Sequence, residues 1–432
     1  MQFVHPEKLN GKKIVIVVGG GFAGLNTAKK LAAQKGLHVL LIDQRNHHLF
    51  QPLLYQVATA GLNPADIAVP IRAQFPNTSN IEVHLGRITG VNLDKKSVFS
   101  TVNDEPVEMA YDYLVLACGA QHSYFGRNDW EDFAPGLKTL EQATEIRRRI
   151  LSAFEQAENA LDIAATKSLL TFVVVGAGPT GVELAGAIAD ISRTVLVKDF
   201  RRIDPKTARV ILVEAGPRAL ASFPEDLSSR AVRDLQKLGV EVRTGARVEN
   251  ISSEGVQIGN EFIPATSVFW AAGVQAAKME FTPPVEKDRA GRVLVGKDFS
   301  LKDHPEVFII GDMAAFEYAP GKMLPGLAPV AIQAGHFVAE AILGDLASHP
   351  RKEFVYFDKG QMATIGKRRA IALSGHLKMT GYLAWLAWLF VHIFYLIDFK
   401  NRVSVLTQWA WNYLFSKRGS RLITEKDWKL KT

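Results

Sequence analysis

The 432-residue sequence predicts an α/β fold, two Rossmann-like dinucleotide-binding domains followed by a C-terminal amphipathic helical segment. Three observations predict it. Two glycine fingerprints each follow a short Val/Ile-rich run and open a helical stretch, with their first glycines 157 residues apart. A third apolar run, Val307–Ile310, ends at Gly311-Asp312. Near the end of the chain, Met379 to Ile397 contains no Asp, Glu, Lys or Arg. The length suits two or three domains, and 47% hydrophobic with 22% charged residues is an ordinary globular balance.

The first element is a buried parallel strand at Ile14–Val18, stopped by glycine and followed by a helix over Phe22–Ala33. Between them lies Gly19-Gly20-Gly21-Phe22-Ala23-Gly24. Gly19 permits the tight turn, Gly21 lets a pyrophosphate approach the backbone, and Gly24 allows close helix–strand packing. The helix N-terminus then turns its free N–H groups toward the phosphates. Asp43 closes the next strand, His38–Ile42, where a carboxylate can hold ribose hydroxyls. A lone glycine triplet would be weak; strand, turn, helix and distal acid together are specific.

The second unit repeats the pattern. Phe172–Val175 is the strand, Gly176-Ala177-Gly178-Pro179-Thr180-Gly181 the turn, and Thr180–Ile191 the helix. Its acid is Glu214, after the strand Val210–Val213. The spacing from Gly176 is long, 38 residues, and a charged, irregular insertion at 195–209 accounts for it. A carboxylate at the ribose disfavours a 2′-phosphate, so the second site favours NADH over NADPH; Arg218 nearby reads as a surface residue. Two fingerprints imply two dinucleotides, one FAD held tightly and one exchanging nicotinamide dinucleotide. Further helices are expected over 141–161, with the basic cluster Arg147–Arg149, and from Val330 to Leu346, after a Pro/Gly-rich loop at 319–329.

Charge and cysteine content narrow the classes. The net charge is +7, and residues 399–432 carry +6 of it: Lys400, Arg402, Lys417, Arg418, Arg421, Lys426, Lys429 and Lys431 against Glu425 and Asp427. Such a tail is a solvated end, or it meets an anionic membrane surface or nucleic acid; no nucleic-acid-binding motif accompanies it. The lone cysteine, Cys118, excludes an internal disulfide and a redox CxxC pair. Met1 to Lys13 lacks the apolar region of a signal peptide. No metal site is expected, since His47-His48 is the nearest candidate and reads as packing.

Together with the fingerprints, Leu114–Gly119 (LVLACG), Phe269–Gly273 (FWAAG) and Ile309–Asp312 (IIGD) resemble the two-dinucleotide-binding flavoprotein superfamily of glutathione-reductase-like fold. Within it, His47–Gly61 (HHLFQPLLYQVATAG), Gly181–Gly186 (GVELAG) and Leu327–Gly335 (LAPVAIQAG) are similar to type II NADH:quinone oxidoreductases, single-chain respiratory NADH dehydrogenases that do not pump protons. The resemblance implies an FAD domain at 1–125 and 290–345, an inserted NADH domain at 126–289, and a membrane-anchoring region at 346–432.

Residue by residue, it implies FAD contacts at Gly19, Gly20, Gly21, Phe22, Ala23, Gly24, Asp43 and Gln44. Gln51, Pro52 and Leu53 would run beside the flavin ring, and Asp312 would bind the ribityl chain. Cys118, Gly119, Ala328, Pro329 and Lys400 complete that set. NADH is expected at Gly176, Gly178, Pro179, Thr180, Gly181, Glu183, Glu214, Ala272 and Gly273. Quinone is expected at Leu54, Ala328, Pro329, Ile332 and Gln333, with Glu183 and Gln333 as catalytic residues. Many members read AQxAxQ where this chain has Pro329 in place of the first Gln.

Tyr382, Trp385, Trp388 and His392 recur at helical spacing, and Trp409, Trp411 and Tyr413 follow. Amphipathic aromatics in that pattern suit a helix lying in a membrane interface, although 19 uncharged residues also reach spanning length. The expected function is electron transfer from NADH through FAD to menaquinone or ubiquinone. The expected setting is a peripheral homodimer on the cytoplasmic face of the cell inner membrane. Sulfide:quinone reductases need a cysteine pair and are excluded. A ferredoxin-reductase-like flavoprotein and a membrane-tethered, non-catalytic NADH sensor remain as alternatives.

Overall fold

The computed structural model describes residues 11–32, 34–102, 105–415 and 418–424. The chain divides into two compact units. The first comprises the segment up to His48, Val69–Gln121 and Val274–Phe357; the second comprises Leu49–Ala68, His122–Gly273 and everything from Asp358 on.

The first unit is built on a six-stranded sheet in the order Ser300–Leu301, His304–Ile309, Tyr113–Leu116, Lys13–Val18, Leu37–Asp43, Ile81–Leu85. Every neighbouring pair is parallel except the first. Val15, Ile16 and Val17 are wholly buried, as the β-branched run demands of a strand covered on both faces. From Lys13–Val18 the chain moves outward through Leu37–Asp43 to Ile81–Leu85. It then returns to the opposite side of the first strand at Tyr113–Leu116. That reversal opens a crevice at the carboxyl ends of these strands, where Gly19 and Cys118 leave the sheet. Two helices pack beside it, Phe22–Leu31 and Ala328–Leu346. They approach closely because Gly335 has no side chain: a Cβ there would lie 2.4 Å from the Ala23 carbonyl oxygen. Thr27 Oγ1 donates to the Gly335 carbonyl across the same contact, at 3.0 Å.

The second unit holds a parallel sheet in the order Val240–Arg243, Arg209–Val213, Thr171–Val175, Ser267–Trp270, with the same reversal at its central strand. The helix Leu140–Asn159 starts where Thr139 caps it, its Oγ1 accepting from Gln142 N. Within its basic cluster, Arg148 and Arg149 both pair with Glu145, while Arg147 turns inward and is buried. The stretch 195–209 is more ordered than its composition suggests. The helix Pro179–Asp190 runs on through a π turn, Ile191–Val195, and a 3-10 turn, Leu196–Lys198. Ile191, Val195 and Leu196 hold it down by burying their side chains.

The C-terminal part of this unit corrects the reading of one uncharged helix from Met379. Gln361–Gly366, Arg369–Ser374 and Leu377–Thr380 form an antiparallel sheet that takes Met379 as a strand residue. Gly381, at φ +67°, turns the chain into the helix Gly381–Tyr395, and Asp398, at φ +75°, turns it again into Phe399–Phe415. Fifteen residues at ~1.5 Å each give about 22 Å, short of the ~30 Å hydrocarbon core. Among the described residues no helix is long and apolar enough to cross a membrane, so the spanning alternative falls.

The orientation of that helix also differs from expectation. Trp385, Trp388 and His392 are buried, packed inward, with the His392 ring stacked on Trp388 at 4.1 Å. The face left outside is a different stripe, Leu383, Leu386, Phe390 and Phe394, joined by Tyr382. The inward aromatics are claimed by the small sheet, where Ala370 and Ala372 offer room for Trp385.

Candidate functional site

Each fingerprint folds for the same physical reasons. In the first unit, Gly19 sits at φ +101°, and a Cβ would lie 2.4 Å from the Ala117 carbonyl oxygen. At Gly24 a Cβ would strike the Gly19 carbonyl, so only glycine lets the helix seat against the strand. Gly21, by contrast, faces open space. The helix Phe22–Leu31 begins there with no side-chain cap, leaving its first N–H groups for a ligand anion. Asp43 ends the strand Leu37–Asp43 and braces the loop, its Oδ2 accepting from Gly20 N at 2.5 Å and its Oδ1 from Arg45 N at 2.7 Å.

Other expected residues gather in the same unit. Gly311-Asp312-Met313 leaves the strand His304–Ile309, beside the strand Tyr113–Leu116 that leads to Cys118 and Gly119. Asp312 lies against Gly326, just before the helix Ala328–Leu346, whose start accommodates Pro329 because the first turn needs no N–H there. Cys118 donates its N–H to Met313 Sδ at 3.2 Å; desolvation pushes its thiol up to about 12, so it is not a thiolate nucleophile. Gln44 is exposed. His48, read as packing, does more than pack. Its Nδ1 meets the Gly20 carbonyl at 2.9 Å and its ring meets Phe22 edge-on, bracing the loop; burial lowers its pKa to about 4, so it is neutral.

The second unit repeats the cradle. Gly176 is at φ +100°, tight against the Ala271-Ala272 backbone; a Cβ at Gly181 would strike the Gly176 carbonyl; Gly178 faces open space. Pro179 and Thr180 are exposed in the first turn of an uncapped helix. Glu214 Oε2 accepts from Ala177 N at 2.8 Å and Oε1 from Gly216 N at 2.8 Å. Ala272 and Gly273 follow the strand Ser267–Trp270 alongside, with Gly273 at φ +72°. Both sites thus fit a dinucleotide: an open glycine, free helix N–H groups and a strand-end carboxylate.

About one turn along the second fingerprint helix, Glu183 lines a cavity of about 90 Å³. Desolvation raises its carboxyl to about 8, against a lowering by the Thr364 N–H, which donates to it at 3.3 Å. The Trp388 indole N–H has no other partner among the described residues and lies against the same carboxyl. Tyr55, buried on the helix Leu54–Ala58, is held well above the usual phenol range by burial and by Glu183. Gln56 ties this wall to the last helix, donating to Tyr55 Oη at 2.9 Å and accepting from Trp409 Nε1 at 2.7 Å. Tyr55, Thr364, Trp388 and Trp409 were not singled out for this site from sequence. They come from four separate segments, and no local signal joins them.

Gln333 has a definite task in the first unit. Its Nε2 donates to the Pro329 and Phe357 carbonyls at 3.1 and 3.0 Å, and its Oε1 accepts from Phe357 N at 3.1 Å. That clamp fixes the segment at Phe357. Ile332 and Ala328 are partly buried beside it. In the second unit Leu53 and Leu54 are buried, Pro52 is partly so, and exposed Gln51 donates to the Lys138 carbonyl at 3.4 Å. Lys400 is exposed in the first turn of the last helix. Of the tail cations, Arg418 pairs with Asp190 at 2.6 Å and Arg421 with Asp199, so these two hold the chain end to its own unit. Lys417, Glu425, Lys426, Asp427, Lys429 and Lys431 lie outside the described residues.

The family profile described as pyridine nucleotide-disulphide oxidoreductase matches residues 13–335, and that of the NDH2 C-terminal domain matches 359–418. The chain is 43% identical to the type II NADH:quinone oxidoreductase Ndh of Mycobacterium tuberculosis, over 95% of this chain and 90% of the relative. It is 41% identical to NdhA of the same organism, over 98% and 92%. Its fold matches NDH2 from Plasmodium falciparum, solved with NADH, with a TM-score of 0.87 at 19% identity, covering 96% of this chain and all of that one. The sulfide:quinone oxidoreductase of Aquifex aeolicus shares the fold at 0.72 and 20% identity, over 93% and 95%. With both dinucleotide cradles in place and near-complete coverage at this identity, the chain belongs to the type II NADH:quinone oxidoreductases.

Proposed function

We propose that this chain oxidises NADH at the expense of a membrane quinone, menaquinone or ubiquinone, working as a homodimer bound to the cytoplasmic face of the cell inner membrane. Identity of 43% over 95% of the chain to a type II NADH:quinone oxidoreductase carries the catalytic part. FAD, when bound, supplies the redox chemistry, taking two electrons from NADH and passing them to quinone.

This chain's residues bind, orient and handle the proton. Gly19 to Gly24 with Asp43 hold the FAD pyrophosphate and ribose, and Asp312 meets the ribityl chain. Gly176 to Gly181 with Glu214 hold NADH, and Ala272 and Gly273 border it. Ala177 N and Gly216 N hold the Glu214 carboxylate at the strand end, where its negative charge would repel a 2′-phosphate. Leu54, Ala328, Pro329, Ile332 and Gln333 border the quinone, with Gln333 acting through the Phe357 segment that it clamps. With its pKa near 8, Glu183 is mostly a neutral acid at pH 7 and holds a proton ready to donate. The outward stripe Leu383, Leu386, Phe390 and Phe394 supplies the apolar face for lipid, with exposed Lys400 beside it on the next helix.

The deciding measurement is flavin absorbance. NADH should bleach the purified, FAD-loaded protein, and a menaquinone or ubiquinone analogue should restore the colour. Bleaching that no quinone reverses would defeat the proposal.

A further inference from the structure

The helix that carries Glu183 turns one face to the cavity. Glu183, Ala187, Asp190 and Thr194 all line it, at i, i+4, i+7 and i+11. That spacing keeps them in a row along one side of the helix. Along the row, Ala187 is buried between Glu183 and Asp190, which are both partly exposed, and Thr194 is exposed. Facing them are Lys367, Asn412, Tyr413 and Arg418. These polar groups stand among apolar ones, Val195, Trp385 and Trp409, and give water its hydrogen-bond partners; about 90 Å³ is several times the ~10–15 Å³ that one water requires. At the outer end, Arg418 bridges Asp190 and the Thr59 carbonyl, at 2.6 and 2.7 Å. The π turn Ile191–Val195 begins at the same point, an irregularity that helices often carry at working sites.

We propose that this cavity is the inlet through which solvent protons reach Glu183, entering beside the Asp190–Arg418 pair and passing the buried Ala187. The inference rests on the reading of the chain as an NADH:quinone oxidoreductase. The balance requires an inlet somewhere. NADH, a proton and quinone yield NAD⁺ and quinol. The hydride carries both electrons and one proton, and the second hydrogen of the quinol is a solvent proton. When a quinone oxygen gains that proton, the Glu183 O–H bond breaks and the carboxylate must be reprotonated before the next cycle. Water along the Ala187–Asp190 face supplies it and takes up a bulk proton in turn. Arg418 does not block the route electrostatically, because Asp190 neutralises it.

The test uses FAD-loaded protein and the infrared carboxylic C=O band that disappears in Glu183→Gln. In D2O, the rate at which that band shifts measures proton access to Glu183 without any turnover. Ala187→Leu adds bulk to the cavity wall between Glu183 and Asp190 and changes no charge. It should slow the shift at least tenfold, and slow steady-state quinone reduction likewise. Ala187→Ser keeps the passage polar and open, and should exchange at the wild-type rate. Wild-type exchange in a folded, flavin-loaded Ala187→Leu protein would overturn the inlet. Should that variant fail to fold, Asp190→Asn replaces it. Exchange should then slow and recover on adding formate as a small weak acid, and unchanged exchange would again overturn the proposal. If wild-type protein reduces no quinone, the functional reading fails on its own, while the exchange rates still decide the inlet.

Discussion

Glu183 links stability to pH in a way that one substitution exposes. Its carboxyl rises from 4.5 to about 8 on folding, because burial disfavours the charged form more than the Thr364 N–H favours it. At ~1.36 kcal/mol per unit, the full shift corresponds to a ceiling of ~5 kcal/mol. At pH 7 the carboxyl is still mostly protonated in the folded state but ionised in the unfolded chain, which leaves ~3 kcal/mol of that cost in force. Discounting for the opening onto the cavity gives ~2 kcal/mol. The folded state binds the extra proton, so this destabilisation is absent below pH 4.5, grows as pH rises, and is complete above about 8. Glu183→Gln keeps the shape and the acceptor for Thr364 N but cannot ionise. It should therefore melt with the wild type at pH 4.5 and about 2 °C higher at pH 7, taking ~2.1 cal/mol/K per residue over 432 residues. Thermal melts of both proteins from pH 4.5 to 8.5 test this. A stability difference that is constant across the range, or largest at the acid end, would refute the reasoning. Quinone turnover should fall ~10²–10⁴-fold in the same variant, since the proton donor is gone.

Three further outcomes follow from the geometry. Gly181→Ala would drive a Cβ into the Gly176 carbonyl and should abolish NADH binding by fluorescence titration while flavin content stays unchanged, whereas Gly24→Ala should lose the flavin itself. Gln333→Leu removes all three clamp bonds at Pro329 and Phe357, should cost ~1–2 kcal/mol, and should raise KM for quinone more than it lowers kcat. The double variant Leu383→Glu/Phe390→Glu removes two large exposed apolar side chains, each worth ~1.5–3 kcal/mol when buried in lipid. It should leave anionic vesicles in a flotation assay while its NADH-driven flavin bleaching stays intact, and retained flotation would show that another surface anchors the chain.

Much of the fold was legible because its signals are local. A β-branched run stopped by glycine makes a parallel strand; the triplet spacing makes the turn; Asp43 and Glu214 end the neighbouring strands and bond the second residue of each fingerprint. The candidate site was legible only in part. Glu183 and Gln333 were marked by their motifs, but the partners that define what they do come from far along the chain: Thr364, Trp388 and Tyr55 for one, Phe357 for the other. The aromatic stripe misled for a physical reason. Periodicity shows which residues share a face, yet it does not say whether that face meets lipid or protein. The small sheet Gln361–Thr380, unremarkable in composition, settled the matter by packing against Trp385.

That packing gives the helix Gly381–Tyr395 two separable duties. Its inward stripe, Trp385 and Trp388, walls the enclosure that raises the Glu183 carboxyl; its outward stripe is left uncovered by the described residues of its own unit. Because the stripes lie on opposite faces of one 15-residue helix, changes on one should leave the other's readout untouched. A smaller residue at Trp388 would admit water to the carboxyl; because burial is the largest cause of its raised pKa, relief of burial outweighs the lost indole hydrogen bond, lowers the pKa and shifts the pH profile of quinone reduction toward acid, without altering vesicle binding. Charges at Leu383 and Phe390 should do the reverse. A variant that moved both readouts together would mean that attachment itself sets the environment of Glu183, and the acid would then be tuned only when the protein sits on its membrane.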